Sequence, residues 1–308
     1  MDNKRINEKR ISRENMVVGD GKIICVIGVG LIGGSLALAL KSGGFASQIL
    51  GVENSPKNGA RALELGLIDR LCSLDEGVDV ADIVLITTPV DSICKLLPDI
   101  LDRVKKVQEG GLVKPTVIDV GSTKHEIITS VHGHPMRGSY VAAHPIAGTE
   151  YSGPDAALPT LFKGKNVILC DTAQSSTFAL TQAERMFASI GMRISKMESL
   201  NHDCHVAYVS HLSHLISFSL ALSVLEKEKD EEKILTLAAG GFDSTVRLAK
   251  SKGDTWASIF LQNREFLLEA LDSYSNKISL FRDALYNRDK VGLTKLMDKA
   301  NEIKKVLN

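Results

Sequence analysis

The stretch "KIICVIGVGLIGGSLALALKSGG", residues 22–44, decides the fold. It opens on a β-branched run, Ile23 to Ile27, passes through glycines and continues as a leucine- and alanine-rich helix. Gly28, Gly30 and Gly33 fit the spacing GxGxxG. The first allows a tight turn, the second lets backbone approach a pyrophosphate, and the third lets the helix lie close on the strand. Leu31 and Ile32 fall in the first helical turn, where unpaired N–H groups and the positive dipole end suit an anion. Alone the pattern is common, and its context gives it weight. A second strand pattern, "QILGVENS" (48–55), ends at Glu53, about 20 residues past the last motif glycine. A carboxylate there accepts hydrogen bonds from both hydroxyls of an adenine ribose and repels a 2′-phosphate, which favours NAD over NADP. The bland alternative is a surface glutamate at a strand end.

Further units follow. A helix is expected over 57–65 and a short strand near 69–72, before "ADIVLITTPV" (81–90) and "TVIDVGSTK" (116–124). The last two are nearly unbroken apolar runs, as in parallel strands buried on both faces. They end in Thr87, Thr88 and Pro89, and in Ser122 and Thr123. Ligands of open parallel sheets bind outside such carboxyl ends, although Thr and Ser also serve there as helix caps. The strand "SYVAAHPI" (139–146) delivers His144 to the same edge, "KNVILCDT" (165–172) supplies one more strand, and a helix is expected over 176–190. The spacing predicts an α/β class: a solvated tail over 1–20, a Rossmann-like parallel-sheet domain over 21–172, and an all-helical domain over 173–308.

A chain of 308 residues suits two domains. Its 37 basic and 37 acidic residues balance, so overall charge recruits neither nucleic acid nor an anionic membrane, and a small-molecule partner becomes the default. No run approaches the roughly 18 consecutive apolar residues of a membrane span, and the polar first twenty residues lack the apolar core of a secretory signal. Cysteines 25, 72, 94, 170 and 204 are odd in number and scattered, with no CxxC pair, which points to a reduced, cytoplasmic setting.

From about Leu200 the strand patterns stop. In "NHDCHVAYVSHLSHLISFSLALSVLEKEKDEEK" (201–233), a regular helix places Ser210 and His214 each about 20° from Asp203, on opposite sides, so the three share one face. His211 sits about 80° away and reads as a flank residue. The polar face needs partners, either a neighbouring helix or a ligand at the domain interface. Four nearby histidines, at 202, 205, 211 and 214, raise a metal site, but His211 and His214 diverge by about 60° and no HExxH completes a ligand set, so no metal is expected. Further on, "GGFDSTVRLAKSKGDTW" (240–256) carries Arg247, which can fork to a carboxylate, and the single tryptophan, Trp256, which can wall a pocket. A surface arginine and a core tryptophan are the plain alternatives. Residues 259–308 read as amphipathic helices for packing or dimerisation.

With these motifs assembled, the chain resembles the prephenate and arogenate dehydrogenase family of tyrosine biosynthesis over roughly residues 22–290. The resemblance rests on "VIGVGLIGGSLA", "DVGSTK", "HPIAGTE", "SHLSH" and "GGFDSTVRLA" with the following Trp256. It implies a Rossmann domain, a helical dimerisation domain, a homodimer, and NAD(P)-dependent oxidative decarboxylation. In its terms His144 contacts the substrate's C4 hydroxyl, Ser122 lies near that hydroxyl and the nicotinamide, and Arg247 holds a substrate carboxylate. Ser210 and His214 match pocket-facing positions, and Thr149 and Glu150 the turn that covers the pocket. The chain departs from the family at Ser213, where many relatives have proline, and at Asp243 and Ser244, where relatives commonly carry a basic residue and then Asp. An acid at 243 would suit the amino group of arogenate, so prephenate and arogenate both stand as substrates. A β-hydroxyacid or 6-phosphogluconate-type dehydrogenase would put a lysine on the helix after the nucleotide domain, where this chain has histidine and serine. A non-catalytic nucleotide sensor would retain no need for His144, Ser122 and Arg247 together.

Overall fold

The computed structural model describes residues 21–111, 115–230 and 234–306, so the tail expected over 1–20 lies outside the described residues. Strand β1 (Lys22–Ile27), helix α1 (Leu31–Ser42), β2 (Ala46–Val52), α2 (Pro56–Glu64) and β3 (Arg70–Leu71) form one arm of a sheet. The chain returns through α3 (Leu74–Val80) to build the other arm: β4 (Ile83–Ile86), α4 (Val90–Glu109), β5 (Thr116–Asp119), α5 (His125–Thr129) and β6 (Tyr140–Pro145). Strand β7 (Asn166–Cys170), helix α6 (Thr177–Ser189) and β8 (Arg193–Met197) extend that arm. The strand order is β3-β2-β1-β4-β5-β6-β7-β8.

The apolar runs are explained by burial on two sides. Ile24 and Val26 enter one core layer with Leu36, Leu40 and Phe187, while Cys25 and Ile27 enter the other with Ile93, Leu97 and Leu101. The order reverses between β1 and β4, so a crevice opens above their carboxyl ends, bounded by the Gly28–Gly33 turn and by Thr87–Pro89.

Two features differ from the sequence reading. Strand β7 runs antiparallel to β6, so the sheet is mostly rather than wholly parallel. The sheet also continues past residue 172, because α6 packs back on it and β8 pairs with β7. Strand β8, "RISKM", is a half-exposed edge strand with only two apolar residues and lacks the run that marks the buried strands.

The helical part begins with α7 (Ser199–Val206), a π-helical turn over Ala207–His211, and α8 (Leu212–Asp230). Helix α9 (Gly240–Val246), a 3-10 turn (Arg247–Lys250), α10 (Gly253–Gln262), α11 (Arg264–Tyr286) and α12 (Lys290–Ala300) follow. Helix α10 packs on α4 and α7 on α5, with Ile259 and Trp256 joining the core layer beneath. Residues 199–229 form one helical stretch that by length and composition could cross a membrane. However, His202, Asp203, His211 and Ser217 are buried on it and hydrogen-bonded within the chain.

Candidate active site

The glycine turn has the shape its spacing implies. Gly28 adopts φ +89° and donates to the Val52 carbonyl at 2.8 Å, a conformation that a side chain would strain. A Cβ on Gly33 would collide with the Gly28 carbonyl oxygen and the Thr87 hydroxyl, whereas one on Gly30 would meet nothing within 4 Å. Gly30 therefore faces an open approach, and the α1 N-terminus above it has no side-chain cap. Leu31 and Ile32 open that helix, half-buried. Glu53 lies just past β2, its Oε2 accepting from the Val29 N–H and its Oε1 from the Ser55 N–H, both at 3.0 Å. Thr87 turns its hydroxyl inward, 2.5 Å from the Gly28 carbonyl and 3.0 Å from that of Ile27, so it braces the turn from behind. The Thr88 hydroxyl is buried with no partner among the described residues, and Pro89 starts α4.

At the β5 exit a buried polar cluster shapes the turn that carries Ser122. Asp119 and Lys124 form an ion pair with no exposure on either side chain. The Tyr140 phenol donates to Asp119 Oδ1 at 2.6 Å, the Gly121 N–H to Oδ2 at 2.8 Å, and Lys124 Nζ to the Ala143 carbonyl at 2.8 Å. Every member is satisfied, which is the condition under which a buried pair specifies a conformation instead of weakening the fold. Burial, reinforced by Asp119, drives the Tyr140 phenol well above its ordinary pKa. Ser122 is half-buried in the turn between β5 and α5.

One residue short of the end of β6, His144 sits beside that turn. Its Nδ1 lies 2.8 Å from His202 Nε2, and His202 Nδ1 lies 2.7 Å from Asp203 Oδ1. The two rings meet edge to face with centroids 5.0 Å apart. Burial, then His202, Lys124 and His211, push the His144 pKa well below the usual imidazole value, so the ring is neutral at pH 7.

A second polar group is held by the 3-10 turn after α9. Arg247, 51% exposed, donates to Glu150 Oε2 at 3.1 Å; Glu150 is 19% exposed. The carboxyl of Glu150 is held below its usual pKa by its own backbone N–H and by Arg247. Thr149 Oγ1 accepts from the Tyr151 N–H at 3.3 Å, fixing the same loop. Buried Ser217 on α8 donates to the Thr245 carbonyl and accepts from the Ala249 N–H, each at 3.0 Å, and so clamps the segment that bears Arg247. Trp256 stacks on His214 at 3.4 Å and stands edge-on to His211 at 6.1 Å.

Residues 36–196 match the nucleotide-binding domain of prephenate dehydrogenase, and residues 198–299 match the dimerization domain of the same family. The chain belongs to the prephenate dehydrogenase family. It is 30% identical to prephenate dehydrogenase of Bacillus subtilis over 91% of this chain and 74% of that one. Identity to cyclohexadienyl dehydrogenase of Zymomonas mobilis is 32%, over 87% of this chain and 90% of the relative. The crystal structure of Aquifex aeolicus prephenate dehydrogenase in complex with hydroxyphenyl propionate and NAD+ superposes with a TM-score of 0.82 at 27% identity, covering 93% of this chain and 98% of that one.

Within this family member the boundary between the two matched domains falls at the end of β8, and the contacts described above cross it. His144 meets His202, Asp203 accepts from the backbone of Lys124 and His125, and Thr123 donates to Gln262 at 2.6 Å. The shared polar face expected for Asp203, Ser210 and His214 does not form as drawn. The π turn inserts an extra residue and rotates everything after it by about 100° relative to a regular helix. Asp203 is 3% exposed, and its carboxylate is spent on two backbone N–H groups and on His202, so it does not line the pocket. Ser210 is half-buried, and its carbonyl accepts from His214 Nδ1 at 3.0 Å. His211 is fully buried rather than flanking: its Nδ1 accepts from Asn263 at 3.0 Å, and its Nε2 has no partner among the described residues. Among the described residues no three His, Cys, Asp or Glu side chains converge as a metal site would need.

Sequence reasoning missed His202 and Ser217. The first carried one usable signal, an imidazole directly followed by an acid. Nothing distinguishes Ser217 from the other serines of α8. Asp243, the acid that departs from the family pattern, pairs with Lys250 at 2.8 Å across the Arg247 turn, on an exposed face.

Proposed function

We propose that this chain oxidises and decarboxylates prephenate to 4-hydroxyphenylpyruvate with NAD, using His144 as the general base. The observation that carries the proposal is a neutral imidazole at the carboxyl edge of the sheet, one strand from the Ser122 turn. The crevice fits NAD. Gly30 leaves room for the pyrophosphate, the uncapped α1 terminus offers it N–H groups, and Glu53 presents a carboxylate at the ribose position. That carboxylate disfavours the extra phosphate of NADP.

Bound NAD supplies the acceptor for the hydride. His144 takes the C4 hydroxyl proton as the C4 hydride leaves, and Ser122 orients the same oxygen. The C–C bond to the ring carboxylate then breaks, CO₂ departs, and its electron pair completes the aromatic ring. The proton held on His144 returns to the oxygen, which becomes the phenol, so the cycle needs no outside acid. The remaining work of the chain is orientation. Arg247 forks to the side-chain carboxylate once Glu150 yields it, Thr149 and Glu150 cover the pocket, and Ser210, His214 and Trp256 wall it. Lys250 pairs with Asp243 and offsets the acid that would attract the amino group of arogenate, which supports prephenate as the substrate.

The same reading makes the chain a homodimer through residues 198–299, supported by the match to a dimerization domain. It places the enzyme in the cytoplasm, supported by five unpaired cysteines. Its test is His144→Asn assayed with prephenate and NAD. The rate of NADH formation is expected to fall roughly 10²-fold or more, and an unchanged kcat would remove His144 from the role of base.

A further inference from the structure

We propose that His202 and Asp203 are positioning residues that lock His144 into the one tautomer able to act as a base. This deepens the reading above and rests on His144 being that base. Asp203 accepts from the backbone N–H groups of Lys124 and His125, each at 2.9 Å, and is 3% exposed. A carboxylate committed to two backbone donors offers His202 only acceptor oxygens, so His202 Nδ1, 2.7 Å away, carries a proton and donates it. With this as the one ring proton of His202, its Nε2 is bare, and His144 Nδ1, at 2.8 Å, donates to it. Nε2 of His144 is left with its lone pair free for the substrate hydroxyl.

The arrangement also answers an electrostatic difficulty. Burial first, then His202, Lys124 and His211, disfavour a charge on His144, so its imidazolium needs a compensating acid. Lys124 is paired with its own acid, Asp119, and the acid joined to His144 by hydrogen bonds is Asp203 on α7, through the polarisable His202 ring. When His144 takes a proton on Nε2, its Nδ1–H points down a hydrogen-bonded line that ends on a carboxylate, which stabilises the imidazolium until the proton returns to the phenol oxygen. The same carboxylate caps α5, directly after the Ser122 turn, so one buried acid fixes the base and the turn beside it across the domain boundary. His202 is 1% exposed and meets His144 and Asp203, so it acts through His144 as a positioning residue and not a catalytic one.

Three substitutions separate this role from packing. Leu at 202 removes the acceptor for His144. Asn keeps a donor toward Asp203 but cannot reach His144. Gln places its amide oxygen near the former Nε2. His202→Leu and His202→Asn are expected to lower kcat roughly 10²-fold with the prephenate KM and NAD affinity changed by less than about threefold, while His202→Gln recovers most of the loss. The spectroscopic signature is the ¹⁵N chemical shift of His144: Nδ1 protonated and Nε2 bare in the wild-type holoenzyme, and a mixture of tautomers in His202→Leu. A wild-type His144 protonated on Nε2, or a folded His202→Leu with wild-type kcat, overturns the proposal. The wild-type spectrum decides it even if the Leu and Asn variants fail to fold. His144→Asn run alongside separates the two claims: if that variant is inactive while His202→Leu is not, this inference fails and the base assignment survives.

Discussion

At the scale of single residues, the site is governed by groups that burial has made neutral or neighbours have made committed. Arg247 is held by Glu150 at 3.1 Å, so in the proposed site a substrate carboxylate would exchange one carboxylate partner for another. Losing the guanidinium removes a charge-assisted hydrogen bond of about 1.5–3 kcal/mol. Arg247→Ala is accordingly expected to raise the prephenate KM roughly 10- to 100-fold with little change in kcat; an unaltered KM would take Arg247 out of the site. The histidines set a pH dependence of stability. His144 and His214 are depressed mainly by burial, and His211 is pushed down to about 4 by the same cause. Below the ordinary imidazole pKa of about 6.5 the unfolded chain binds protons that the native state refuses, so stability must fall as pH drops. For His211 the loss runs from about pH 6.5 down to about 4 and amounts to something on the order of 3 kcal/mol at its end. Thermal melting between pH 7.5 and 4.5 checks this: Tm should decline with acidity through that window, and a Tm flat across it would contradict the burial of these rings as neutral species.

At the scale of elements, the glycine turn separates two functions that the sequence motif merges. Gly33 touches the Gly28 carbonyl and Thr87 within the protein, whereas Gly30 faces open space. Gly33→Ala is therefore expected to lower Tm and NAD affinity together. Gly30→Ala should weaken NAD roughly tenfold or more with Tm unchanged, since its methyl group obstructs only the approach of the pyrophosphate. Calorimetric titration of NAD beside melting curves distinguishes them, and equal effects in both variants would contradict the geometry. The strands β1, β4 and β5 were legible because burial on both faces writes an apolar run. Edge strand β8 writes almost none, and so the boundary expected at residue 172 fell short of the end of the sheet. The π turn was illegible for a different reason. Angular arithmetic assumes a constant period, and no residue of "AYVSH" announces the extra one that moves His214 off the face of Asp203.

At the scale of the whole molecule, the proposed site draws on two architectures that meet at one sheet edge. The nucleotide domain brings His144, Ser122 and the glycine turn, and the helical part brings His202, Arg247 and Trp256. The first set lay within recognisable motifs. His202 did not, because its meaning depends on a contact spanning 58 residues of sequence and a domain boundary. The helical part also leaves Leu222, Leu225, Leu237 and Leu261 more than half exposed, apolar surface that a second copy would cover in the proposed dimer. The function of the assembled molecule is most directly tested by steady-state rates with prephenate and arogenate, each against NAD and NADP. The account predicts the highest kcat/KM for prephenate with NAD. No reduction of NAD by prephenate, or a far faster rate with arogenate, would contradict it.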